Sequence, residues 1–153
     1  IVFALSNPTS ACEAQPADVL RWTEGRAVVA TGSPFEPVAS GSERRIIGQG
    51  NNAFVFPGVG FGAMLTDARV ITDGMITEAA YALAELTLDR HGARGLVYPP
   101  VEELRDVSAR VAVRVARRAI EEGVARRADL GGDLESLVQR RAWTPRYLPI
   151  RRA

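Results

Sequence analysis

Lysine is absent from the 153-residue chain: all 19 basic side chains are arginine, set against 18 acidic ones. Any mechanism that needs a lysine as base, Schiff-base former or phosphate ligand therefore cannot be completed by these residues alone. There is one cysteine, Cys12, and one histidine, His91. An intrachain disulfide is excluded, and so is a zinc site built from several Cys or His. No apolar run reaches the roughly 18 residues that a membrane-spanning helix needs, so no membrane partner is expected. The opening residues are neither basic nor followed by a small-residue cleavage site, unlike a signal peptide. With one cysteine and no export signal, the expected compartment is the cytoplasm. The chain has no initiator Met and opens at once on Ile1-Val2-Phe3-Ala4-Leu5, so it reads as a piece of a larger protein.

What is present suits a globular α/β chain. Hydrophobic residues make up 46% and charged residues 24%. A chain of about 150 residues can bury roughly 70% of its unfolded surface, enough for one core. A net charge of +1 argues against a nucleic-acid binder held by electrostatics over its whole surface. The charge is uneven, with 7 Arg against 10 acids in residues 1–100 and 12 Arg against 8 acids in 101–153.

The pattern along the chain predicts a buried strand over Ile1–Leu5, a loop at Ser6-Asn7-Pro8-Thr9, and a helix from Pro16 to Trp22 with proline at its first position. Arg26–Thr31 is a second β-branched run, so a parallel strand–helix–strand unit is expected. Residues 32–52 read as a long loop with a small hairpin at Glu43–Ile47, and Phe54-Val55-Phe56 as a short strand or extended segment. From Pro57 a helix is expected to bury Val59, Phe61, Met64 and Leu65. Thr72 or Asp73 caps the next helix, in which Met75, Ile76, Ala79, Ala80, Leu83 and Leu86 recur at helical spacing. The longest helix is expected over Glu102–Gly123, with Leu104, Val107, Val111, Val115, Ala119 and Ile120 inward. Its Arg110, Arg114, Arg117 and Arg118 fall off that stripe and read as a solvated or subunit-facing surface. A short helix over Asp133–Arg141 leads to a tail with Trp143 and Tyr147.

Two polar loops stand out, Ser6-Asn7-Pro8-Thr9 and Gly48-Gln49-Gly50-Asn51-Asn52, each adjoining a strand-like run. In open α/β sheets, ligands bind at the carboxyl ends of strands. A carboxamide offers two donors and one acceptor without net charge, which suits a carboxylate, a hydroxyl or a nicotinamide amide. Asn and Gly also populate turns for conformational reasons, and composition alone leaves both readings open. Gly48-x-Gly50-x-x-Ala53 imitates a dinucleotide fingerprint. Pro57 soon after it, and no acidic residue at the expected place on a second strand, argue against a pyrophosphate loop. Gly58, Gly60 and Gly62 read as close helix packing, Asp67 and Asp73 as caps, and His91 as a helix C-terminal cap. Cys12 has no activating neighbour in sequence.

The same loops carry a family match. Phe3-Ala4-Leu5-Ser6-Asn7-Pro8-Thr9, Trp22-Thr23-Glu24-Gly25-Arg26, Thr31-Gly32-Ser33-Pro34-Phe35, Gly48-Gln49-Gly50-Asn51-Asn52 and Phe56-Pro57-Gly58 resemble the malic enzyme family in order and spacing. Tyr98-Pro99-Pro100 before a long helix resembles the C-terminal region of its large-subunit type. Gln15-Pro16 departs from the pattern, standing where a threonine normally caps the helix.

The resemblance implies the C-terminal part of a Rossmann-like NAD(P)-binding parallel-sheet domain over residues 1–96, followed by a C-terminal helical segment over 97–153. It implies oxidative decarboxylation of L-malate to pyruvate and CO2 with NAD or NADP and Mg2+ or Mn2+. Asn7, Asn51 and Asn52 would contact substrate, and Asn7, Asn51 and Ser33 the cofactor. The family's tyrosine acid, lysine base, metal ligands and dinucleotide fingerprint would lie in parts N-terminal to Ile1, leaving this chain no catalytic residue and no metal ligand. Alone, it is then expected neither to hold malate tightly nor to turn it over. Its partners would be the rest of the subunit and further copies, in a dimer or tetramer. Malolactic enzyme of the same family and a non-catalytic oligomerisation module built on helix 102–123 are the competing readings, with a nucleic-acid binder behind both.

Overall fold

The computed structural model describes residues 1–40 and 43–145; Tyr147 of the tail lies outside the described residues. Three short strands, β1 (Val2–Ala4), β2 (Val29–Thr31) and β5 (Gly48–Gln49), form a parallel sheet in the order β1–β2–β5. Val2 pairs with Val29 and Ala4 with Thr31, while Thr31 also pairs with Gln49 on the other side. Parallel neighbours need a crossover, and α1 (Pro16–Trp22) supplies it with Pro16 in its first turn. Its Val19 and Leu20 bury against Val29, with Val2, Ala27, Val38 and Ile47 around them.

Three expectations need correction here. Ile1–Leu5 is not buried on both faces: Phe3 is 45% exposed and Leu5 42%. Side chains alternate across a strand, and these two face an open cleft instead of the core. The second strand starts at Val29 and not Arg26, because Arg26 N–H donates to the Thr23 carbonyl and Ala27 N–H to the Thr23 hydroxyl, holding both residues in the turn after α1. The hairpin pairs β3 (Val38–Ser40) with β4 (Glu43–Arg45), so Ile46 and Ile47 lie beyond it and lead into β5.

Phe54-Val55-Phe56 is not a strand. A 3-10 turn spans Asn52–Phe54, and α2 runs from Phe56 to Leu65 with Pro57 in its first turn. The β-propensity of Phe-Val-Phe is overridden by a capping Asn51, whose Oδ1 accepts the Ala53 N–H at 2.9 Å. The buried positions of α2 are Gly58, Val59 and Gly62, whereas Met64 is 78% exposed and Phe61 and Leu65 are half-buried.

The glycines face inward because α4 (Leu104–Glu121) lies so close. A Cβ added at Gly58 would stand 2.5 Å from Val111 Cβ, and one at Gly62 would stand 2.7 Å from the Ala112 carbonyl oxygen. Close packing is therefore the right account of Gly58 and Gly62 but not of Gly60, where an added Cβ would meet nothing within 4 Å. On its other side α4 packs against α3 (Asp73–His91), and Met75, Ala79, Leu83, Leu86, Val107, Val111, Val115 and Ala119 share one core with Phe54 and Val59. Ile76 and Ala80 of α3 are exposed, contrary to expectation, because the inward stripe runs through Met75, Ala79, Ala82, Leu83 and Leu86. At 19 residues α3 is the longest helix; α4 has 18, because Val101–Glu103 coils as a 3-10 turn before it.

The arginines of α4 turn mainly to acids of this same chain. Arg114 bridges Glu78 at 2.7 Å and Glu85 at 3.2 Å, and Arg117 reaches Glu135 of α5 (Leu134–Arg141) at 2.9 Å. Arg118 pairs with Glu122 at 2.7 Å. Asp133 caps α5, and hydrogen bonds from the Ser136 side chain and backbone hold its carboxyl down to about 2.

Thr72 caps α3, its hydroxyl oxygen accepting the Met75 N–H at 3.1 Å while the hydroxyl also donates to Glu122 beyond α4. Thr72→Ala is expected to cost about 1 kcal/mol. A denaturation midpoint that falls at constant m-value would register it, and an unmoved midpoint would show that the cap contributes nothing.

Candidate functional site

The carboxyl ends of the three parallel strands release three loops side by side: Ser6–Thr9 after β1, Gly32–Pro34 after β2, and Gly50–Asn52 after β5. Backbone bonds continue the sheet into them, from Gly32 N–H to the Ala4 carbonyl at 2.9 Å and from Gly50 N–H to the Thr31 carbonyl at 2.8 Å. Gly32 must be glycine at this spot, because a Cβ there would overlap the Leu5 carbonyl. The Ser6 hydroxyl and N–H both donate to Glu13, anchoring the first loop. The Ser6 hydroxyl is the main reason the Glu13 carboxyl sits below its usual range.

A cleft of about 520 Å³ opens at these ends. Asn7, Asn51 and Asn52 all line it, so residues from two separate loops meet in one place. Its walls are apolar, from Phe3 and Leu5 of the β1 segment, Ala80 and Ala84 of α3, and Tyr98. In sequence Tyr98 stands out only as part of a family motif. It stacks on Phe54 with ring centroids 6.3 Å apart and leans on Phe3 at 5.8 Å. The bare Gly50 admits the tyrosine ring, which would stand 3.2 Å from a Cβ there. Aromatics at positions 3, 54 and 98 gave no local signal of meeting, since only the fold joins them.

Ser33 is not on the cleft wall. It is 4% exposed and its hydroxyl donates to Asn7 Oδ1 at 2.8 Å. Asn51 has its own Oδ1 occupied by the Ala53 N–H. Since a backbone N–H must meet oxygen, the Asn51 amide is oriented with Nδ2 outward. Among the described residues nothing accepts a hydrogen bond from the Nδ2 of Asn7, Asn51 or Asn52. The site thus offers N–H donors without a formal positive charge.

The remaining sequence candidates lie elsewhere. Gly48-x-Gly50-x-x-Ala53 begins on the short strand β5 and precedes helical turns, so Pro57, in the first turn of α2, is no obstacle. What separates it from a dinucleotide loop is that α2 leads to α3, and the described residues hold no further strand to complete a βαβ unit. His91, in the last turn of α3, is buried, and its Nε2 lies 2.8 Å from Glu103 Oε1, pinning that end to the start of α4. Arg90 is the main cause of the lowered Glu103 carboxyl, ahead of His91. Asp67 has φ 47° and pairs with Arg126 at 3.3 Å, while Asp73 sits in the first turn of α3 behind the Thr72 cap. The Cys12 thiol points at the Ala14 carbonyl, 3.3 Å away. A larger hollow of about 1040 Å³ at the amino ends of the strands, rimmed by Arg26, Arg44, Arg45 and Arg94, holds none of the carboxamides.

A family model described as malic enzyme, NAD binding domain, matches residues 1–120. The chain belongs to the malic enzyme family. It is 44% identical over 153 residues to the NAD-dependent malic enzyme 1 of Vibrio vulnificus (strain YJ016), covering 99% of this chain and 27% of that protein. Identity to the NADP-dependent malic enzyme of Dictyostelium discoideum is 42% over 149 residues, covering 96% and 27%. Among solved structures, Entamoeba histolytica malic enzyme superposes with a TM-score of 0.73 at 32% identity, covering 92% of this chain and 26% of that one. The chain therefore spans about a quarter of the length of these relatives.

The cleft bears on the two groups that a malic enzyme implies. An apolar wall with an outward carboxamide suits a flat nicotinamide ring and its amide, so NAD or NADP fits here. A divalent metal does not fit: among the described residues no three His, Cys, Asp or Glu side chains come together to hold one, and no acid lines the cleft.

Proposed function

We propose that this chain is the part of a malic enzyme subunit that orients L-malate and the nicotinamide during oxidative decarboxylation to pyruvate and CO2. The observation that carries the reading is the convergence of Asn7, Asn51 and Asn52 on one cleft with their N–H donors unclaimed. A dicarboxylate needs donors on its oxygens, and neutral amides provide them without neutralising charge that other groups must meet. Phe3, Leu5 and Tyr98 form an apolar wall against which a ring can lie.

Bound NAD or NADP would supply the hydride acceptor. The two relatives named above are NAD- and NADP-dependent respectively. The base and the Mg2+ or Mn2+ ligands are assigned to the rest of the subunit, since the chain has no lysine and brings no metal-binding cluster together among its described residues.

Product analysis tests the reaction. An intact subunit carrying this chain is expected to convert L-malate to pyruvate and CO2 with one reduced cofactor per turnover. Lactate formed without net cofactor reduction would overturn the assignment in favour of malolactic chemistry.

A further inference from the structure

We propose that Ser33 is a positioning residue whose hydroxyl holds the oxygen end of the Asn7 carboxamide and so leaves its N–H donors free for a ligand. The inference rests on the reading of Asn7 as a malate contact and deepens it. An asparagine amide has an oxygen end and a nitrogen end of nearly equal size, and only the nitrogen end attracts a carboxylate. An Oδ1 turned toward malate would repel it. Left to solvent, the amide of an exposed Asn7 would sample both orientations.

Ser33 removes that freedom. It lies behind Asn7, 4% exposed, with Oγ 2.8 Å from Oδ1. Its backbone is fixed from two directions: the buried Thr31 hydroxyl donates to the Ser33 carbonyl at 2.9 Å, and Gln49 Nε2 donates to the Gly32 carbonyl at 3.1 Å. Gly32, pressed against the Leu5 carbonyl, keeps the β2 loop hard against the β1 loop. Among the described residues the Ser33 hydroxyl has no acceptor besides Asn7 Oδ1. Were the amide reversed, Nδ2 would donate to Oγ and the buried hydroxyl hydrogen would be orphaned, a penalty that selects the observed orientation. Asn51 reaches the same end differently, its Oδ1 held by a backbone N–H. Both loops thus satisfy the oxygen within the protein, while Asn7 Nδ2 lies beside Gly32 with no acceptor among the described residues.

The test is a double-mutant cycle on the intact subunit, with kcat/KM for L-malate, the malate Kd by calorimetry and Tm as readouts. Ser33→Ala is expected to weaken kcat/KM and Kd by about 3- to 15-fold, the worth of one hydrogen bond, with little change in Tm. In an Asn7→Ala background the same substitution is expected to change neither by more than about 2-fold, because the group it positions is gone. An equal loss in both backgrounds would overturn the proposal and make Ser33 an independent contact. No loss from Ser33→Ala beside a large loss from Asn7→Ala would overturn it while sparing the role of Asn7. An Asn7→Ala subunit of unimpaired activity would overturn the underlying reading itself.

Discussion

In the intact subunit, Asn7→Ala is expected to lower kcat/KM for L-malate by about 10- to 150-fold while the fold stays intact. The size follows from one hydrogen bond to a charged acceptor, worth about 1.5–3 kcal/mol, at roughly tenfold per 1.4 kcal/mol. The loss should not be structural. Asn7 is exposed, and its one side-chain bond is the one it receives from Ser33. Removing it leaves the buried Ser33 hydroxyl short of an acceptor, at a cost to stability of about 1–3 kcal/mol, but empties no part of the core clusters. Asn52→Ala should act in the same direction, since Asn52 lines the same cleft from the β5 loop. Steady-state kinetics beside a thermal melt would separate the two effects. Unchanged kcat/KM in both variants would remove these carboxamides from the site.

The second large effect is on stability, and its sign alternates along a single helix. Gly62→Ala is expected to destabilise by about 1–3 kcal/mol, because the new methyl meets the Ala112 carbonyl at 2.7 Å and the Val115 side chain at 2.9 Å. Backbone on a packed neighbouring helix cannot step aside as a flexible side-chain end could. Two residues away, Gly60 has nothing within 4 Å of the same atom. Gly60→Ala is therefore expected to be neutral or to stabilise by up to about 1 kcal/mol, through helix propensity and a less flexible unfolded chain. Denaturant titration of both variants checks the pair. Equal effects at 60 and 62 would mean that α2 and α4 do not approach as closely as described.

Those glycines also mark how far sequence reasoning reaches. Alternate glycines in an apolar segment signalled close packing, but which face carried them needed the partner helix. The bounds of α1 were legible because Pro16 and the turn after Trp22 are local signals. The Thr72 cap was legible for the same reason. By contrast β5 is only Gly48 and Gln49, which pair with β2 through backbone atoms and carry no strand-forming side chains. Asn51 turned Phe54-Val55-Phe56 away from the extended conformation its residues favour. At the site, the three asparagines were legible as loop residues and as part of a family motif. Their meeting in one cleft, the place of Ser33 behind Asn7 and the wall formed by Tyr98 arise from contacts between distant positions.

That distance governs the order of assembly. The α3–α4 pair closes across a short connection, so its contacts form at little cost in chain entropy. The cleft, by contrast, joins the ring of Phe3 to that of Tyr98 and brings together the sheet, the β5 loop and the middle of α3. Contacts of such long sequence separation are slow to form. The pocket is therefore expected to form after the α3–α4 pair has closed, so that on heating the packing of Tyr98 on Phe3 is lost before the helical signal falls.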